Sequence, residues 1–106
     1  MVFYLISAVP KHDRLEELGG RLARAEFMAL CPFGPTLSAS LTQSRIRRDG
    51  VAVWEEEYYC RPPLAEERAA VLDDYFVDLR VDPVAEGGGW SKISAYPYLF
   101  PGLAEI

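Results

Sequence analysis

Histidine, cysteine and long apolar sequence are scarce in this chain, and each scarcity excludes something. One histidine, His12, and two cysteines, Cys31 and Cys60, cannot supply the ligands of a structural zinc site. No metal and no cofactor is expected. The cysteines lie far apart and form no C-x-x-C pair, which points to a reduced, cytoplasmic protein rather than a disulfide scaffold. The opening run is apolar over about eight residues, where a membrane span needs roughly 20. The start MVFYLISAVPKHD also lacks a positive n-region and a small-residue cleavage site, so no signal peptide is expected. Positive charge is in deficit too: Lys and Arg number 11 against 16 Asp and Glu, a net charge of −5. An acidic surface repels phosphate backbones and anionic bilayers, so neither a nucleic acid nor a membrane is an expected partner.

What is present suffices for a folded core. Half of the 106 residues are hydrophobic and a quarter are charged, too apolar for disorder and long enough to bury a core without staples. There is no internal repeat and no long linker, so residues 1–106 read as one domain.

Val2–Val9 is a continuous apolar run with β-branched and aromatic members, ended by Pro10. It reads as a strand buried on both faces, near the middle of a sheet. Asp13 with Glu16 three residues on resembles a capping box. Leu15, Leu18, Leu22, Ala25 and Ala29 continue at helical spacing, so one helix is expected from Asp13 to about Leu30. Gly19-Gly20 either permits close packing within it or breaks it, leaving Ala25–Cys31 as an extra strand. CPFGP then stops the helix. Thr36–Arg48 alternates and predicts a strand, and Asp49-Gly50 marks a two-residue hairpin turn into a second strand, Val51–Cys60. Pro62 and Pro63 open a second helix with the stripe Leu64, Val71, Leu72, Tyr75, Phe76, ending near Asp74. Val77, Leu79 and Val81 alternate with charged residues in a last strand closed by Pro83.

The order predicts an α+β fold, a ferredoxin-like βαββαβ sandwich: a four-stranded antiparallel sheet with two helices on one face, plus an aromatic C-terminal tail over residues 86–106. A two-residue turn would pair Arg48 with Val51, Ile46 with Val53, Arg45 with Trp54 and Leu41 with Tyr58. Arg45 would then stack on Trp54, diagonal to Glu56. The second face of the first strand needs a cover. The tail EGGGWSKISAYPYLFPG is one candidate, and a partner's sheet is the other.

The tail's glycines do not fit a nucleotide loop: Ser91-Lys92 has the wrong order and spacing for a P-loop, and no helix is expected after the glycines. Trp90, Ile93, Tyr96, Tyr98, Leu99 and Phe100 are too apolar to be left in water. Cys31 and Cys60 read as small buried hydrophobes. Glu55-Glu56-Glu57 reads as charge balance for Arg45, Arg47 and Arg48 across the hairpin, and SRIRR lacks the aromatic platform of an RNA-binding sheet.

The function expected from these features is a non-catalytic, homodimeric module that binds a small apolar ligand or a protein. The alternative is a cofactor-independent isomerase or monooxygenase of the dimeric ferredoxin-like type. Tyr4, His12, Trp54, Tyr58 and Trp90 are the pocket candidates, with His12 the sole acid–base candidate. Tyr59, Trp90, Ile93, Tyr96, Tyr98 and Phe100 are the interface candidates.

Overall fold

The computed structural model describes residues 2–58 and 64–105. The fold is α+β, built on an open four-stranded antiparallel sheet in the order β2-β3-β1-β4. The first apolar run forms β1, Phe3–Pro10, with β3 on one side and β4 on the other. Successive side chains of a strand point to opposite faces. Ile6 and Ala8 therefore enter the buried core on one face, while Phe3, Leu5, Ser7 and Val9 lie half-buried on the other.

The expected first helix is shorter than its apolar stripe. A 3-10 turn, His12–Arg14, leads into α1, Leu15–Ala23, which runs through Gly19 and Gly20. The break falls at Ala25, whose left-handed φ of 56° turns the chain into a second 3-10 segment, Glu26–Ala29. Gly19 lets the Phe100 ring pack against the helix, with ring atoms 3.3 Å from where a Cβ would stand. The capping box does not form: Asp13 lies inside the 3-10 turn, and no side chain caps it or α1.

The strand expected over Thr36–Arg48 is mostly a helix. Residues Gly34–Thr42 form α2, with Pro35 in its first turn, where a missing N–H costs no hydrogen bond. Leu37 and Leu41 are fully buried, four residues apart, and Gly34 and Ser40 are buried on the same stripe. Leu37, Ala39 and Leu41 satisfy a period of two, but Gly34, Leu37 and Leu41 satisfy the helical period, and the core uses the second.

Only Arg45–Ile46 remains as β2, paired with β3, Ala52–Glu57. The Asp49-Gly50 turn is present, but three residues rather than two bridge Arg47 and Val51. The Arg47 N–H donates to the Val51 carbonyl, the Gly50 N–H returns to Arg47, and Gly50 has φ +86°. That extra residue shifts the register by one. Arg45 opposes Val53 and Ile46 opposes Ala52, so the expected Arg45–Trp54 and Ile46–Val53 pairs do not form. A one-residue slip changes face. Arg45 leaves the Trp54 side and lies 3.8 Å over the Tyr98 ring. The expected Leu41–Tyr58 pair is also absent, because Leu41 belongs to α2.

The second helical stretch is described from Leu64 onward; Pro62, Pro63 and Cys60 lie outside the described residues. It runs as α3, Ala65–Glu67, a π-helical segment, Arg68–Leu72, and α4, Asp73–Tyr75. The last strand, β4, covers Phe76–Val84, and Pro83 is tolerated within it because β4 is an edge strand. Leu18, Leu22, Leu37, Leu41, Val71, Leu72 and Tyr75 join Ile6, Ala8, Ala52 and Trp54 in one buried cluster, with the Trp54 and Phe76 rings 5.2 Å apart. Tyr75 also ties α4 to α1: its hydroxyl donates to Glu17 and accepts from Arg21 at 2.8 Å.

Candidate functional site

The tail begins by covering the other face of β3. Helix α5, Gly88–Ile93, docks on the face that carries Val53 and Glu55, both nearly inaccessible at 2% and 4% exposure. Glu55 holds it there. Its Oε2 accepts from the Gly87 N–H at 2.9 Å, and its Oε1 accepts from Gly89 at 2.7 Å and Trp90 at 3.2 Å. These N–H groups open a helix and have no partner within it. Gly87 takes φ +78°, and a Cβ on Gly89 would sit 2.9 Å from the Glu55 carboxylate. The triple glycine is an anion cradle, and its anion is the chain's own carboxylate.

Beyond α5 the tail wraps the free edge of β2. The Ile46 N–H donates to the Pro97 carbonyl and the Leu99 N–H to Ser44, both at 2.9 Å, with Arg45 bridged to Tyr98. Pairing an exposed edge in this way removes a template for aggregation. Phe100 then reaches α1, and α6, Pro101–Ala104, follows. Ile93 is buried within the chain, and Tyr96, Tyr98 and Phe100 are half-buried, so these interface candidates already serve an intramolecular cover. Tyr59 lies outside the described residues.

Because β2 is two residues long, α2 and α5 face one another past its end. Between them lies a cleft of about 480 Å³, lined by Ala39, Ser40 and Gln43 of α2, Arg45 of β2, and Trp90 and Ser94 of the tail. That volume is within the range of small-molecule sites, roughly 300–1,000 Å³. One indole, small aliphatic groups, hydroxyls and an amide line it, with a single charged group, Arg45. Arg45 is fixed: its Nη1 donates to the Tyr96 carbonyl at 2.7 Å and the Ser94 carbonyl at 3.3 Å.

A second polar cluster is buried among the core residues. Glu56 projects from β3 on the same face as Trp54 and is 2% exposed; the Trp54 Nε1–H donates to its Oε1 at 3.0 Å. The carboxyl of Glu67, fully buried, acts on that of Glu56. Burial pushes the Glu56 carboxyl above the ordinary carboxylate range, and the bonds from Glu67 and Trp54 offset part of that rise. A carboxyl that holds its proton more tightly when folded stabilises the fold below the unfolded value, near pH 4.3, and loses that contribution as pH rises through the folded value. Stability should therefore fall with rising pH across this window. The substitution Glu56→Gln should flatten that dependence and leave the variant more stable than wild type at pH 8 by on the order of 1 kcal/mol. Urea midpoints between about pH 4 and pH 8 measure it; parallel profiles for the two proteins would contradict it.

The pocket candidates from the sequence do not converge on one place. Tyr4 opposes Glu56 in the strand register, and Tyr58 and Trp54 are buried members of the core cluster. His12 is exposed in the 3-10 turn before α1. Trp90 alone lines the cleft. Ala39, Ser40 and Gln43 gave no signal in the sequence, because a strand over Thr36–Arg48 scatters them over two faces. Among the described residues no group of three or more His, Cys, Asp or Glu side chains could hold a metal ion, and no helix is long and apolar enough to cross a membrane. No protein-family model, curated protein or solved structure matches this chain.

Proposed function

We propose that this chain is a ferredoxin-like sandwich acting as a non-catalytic, small-ligand-binding module, with the cleft between α2 and α5 as its site. The strand order β2-β3-β1-β4 with antiparallel neighbours supports the fold assignment. The observation that carries the function is the composition of the cleft: an indole, small apolar side chains and neutral hydrogen-bonding groups around about 480 Å³. The enzymatic alternative needs proton-transferring groups beside the ligand. The residues lining the cleft include no carboxyl, imidazole, amine or thiol group, and His12 is not among them.

The same proposal includes a second copy of the chain. Helix α5 covers the Val53–Glu55 part of its sheet face. Toward β4 an open groove of about 330 Å³ remains, lined by Ser7, Val9, Arg47, Val51, Asp78 and Arg80, with Val77 44% exposed. A homodimer would close it. The cytoplasm is the compartment that fits the exposed, unpaired thiol of Cys31.

Native mass spectrometry with added N-phenyl-1-naphthylamine, a neutral aromatic dye, tests both parts. The expected species is a dimer carrying one dye per chain, with the dye lost from Trp90→Ala. A monomer at every concentration removes the dimer; a wild-type protein that never takes up dye removes the cleft.

A further inference from the structure

Arg45 is the one charged side chain among those lining the cleft, and among the described residues no carboxylate pairs with it. Its Nη1 hydrogens go to backbone carbonyls of Ser94 and Tyr96, and its guanidinium stacks on Tyr98. Among the described residues no Asp or Glu lies within ion-pair distance of it, whereas Arg47, two residues on, is paired with Asp49 at 2.6 Å. The Nε and Nη2 hydrogens have no acceptor among the described residues, and a guanidinium presents such donors as a planar fork suited to carboxylates and sulfonates.

The surroundings carry the same sign. One of the two tail carbonyls that fix Arg45 belongs to Tyr96, and Tyr96 lines a groove with Arg47, Arg48 and Asp49. Arg48 is exposed, and no ion pair engages it among the described residues. In a chain of net charge −5, Arg45 and Arg48, neither of them ion-paired among the described residues, thus both lie against Tyr96. The nearest acidic segment of β3 is disposed of internally, since Glu55 is sealed by the N–H groups of Gly87, Gly89 and Trp90. An aromatic surface next to a fixed cation selects for a flat ring bearing one negative group.

We infer that the cleft is selective for planar aromatic monoanions, aryl carboxylates or sulfonates, with the ring against Trp90 and the anionic group on the Arg45 fork. The inference rests on the reading of the cleft as a ligand site and deepens it by naming the ligand class. Ser40 and Ser94 place neutral hydroxyls around the ring.

Two dyes with one ring system separate the two claims. 8-Anilinonaphthalene-1-sulfonate carries the anionic group, and N-phenyl-1-naphthylamine lacks it. Fluorescence titrations are run on the full chain, on Arg45→Gln and on Gln43→Glu. Gln43 is exposed on the cleft wall, so its replacement adds a negative charge without disturbing the contacts that hold Arg45. Each variant should weaken the sulfonate about fivefold or more and leave the neutral dye within about twofold. Added salt should weaken the sulfonate alone. Gln43→Glu remains decisive if Arg45→Gln loosens the tail. Equal affinity changes for the two dyes, or none in Gln43→Glu, would overturn the anion selectivity while leaving the cleft as a site. Failure of wild type to bind either dye would overturn both.

Discussion

Replacing Glu55 with alanine should lower stability by about 3 kcal/mol, a fall in Tm of roughly 10–20 °C for a domain of this size. The effect follows from what the carboxylate accepts. Three backbone N–H groups, those of Gly87, Gly89 and Trp90, end on it, and the Gly89 contact is buried. Removing the acceptor leaves the Gly89 donor without a partner where it is buried and the other two partly so, and a buried unpaired donor costs more than an ordinary hydrogen bond returns. The loss should be local as well as global. Amide hydrogens of Gly89 and Trp90 should exchange much faster, and the Trp90 wall of the cleft should open with them. Glu55→Gln keeps one acceptor oxygen and should fall between alanine and wild type. Glu16→Ala, on the exposed side of α1, should stay within about 0.5 kcal/mol. If Glu55→Ala melts with wild type, the tail is not held by this carboxylate.

Gly34→Ala should be at least as damaging, costing more than about 3 kcal/mol. A Cβ at Gly34 would stand 2.1 Å from the Phe27 carbonyl oxygen and 3.1 Å from that of Met28, backbone atoms that cannot swing aside. Either α2 must move off the 3-10 segment Glu26–Ala29, or that segment must unwind. Both displace Leu37 and Leu41 from the core, and both move the wall that carries Ser40 and Gln43. Gly102→Ala is the matched control. It lies in α6, where an added Cβ meets nothing within 4 Å, and alanine is the better helix former there. Chemical denaturation of the two variants should separate them by the whole effect; similar midpoints would mean that α2 does not sit this tightly.

These two positions also mark where sequence reasoning stops. The first strand, the last strand and the Asp49-Gly50 turn were legible because each is specified by its own residues: an apolar run, an alternation, a turn pair. Helix α2 was not, because Leu37, Ala39 and Leu41 fit both periods. The deciding contact, Gly34 against Phe27, is a matter of tertiary packing. The hairpin register turned on a single loop residue, and with it the face on which Arg45 lies. The tail's aromatic content marked it as surface in need of burial. Its means of attachment was not legible, since Glu55 and Gly89 are brought together only by the fold. The cleft inherits both difficulties, being assembled from α2 and the tail.

The most direct test of the ligand-site reading uses the chain's two tryptophans as reporters. Trp54 is fully buried with its Nε1–H on Glu56, and Trp90 stands in the cleft wall. In a nitrogen–proton correlation spectrum each gives one indole resonance. On titration with N-phenyl-1-naphthylamine the Trp90 resonance should shift and saturate, with the Trp54 resonance unmoved. A bound dye that leaves Trp90 unchanged, or that moves Trp54 instead, would contradict the assignment of the cleft.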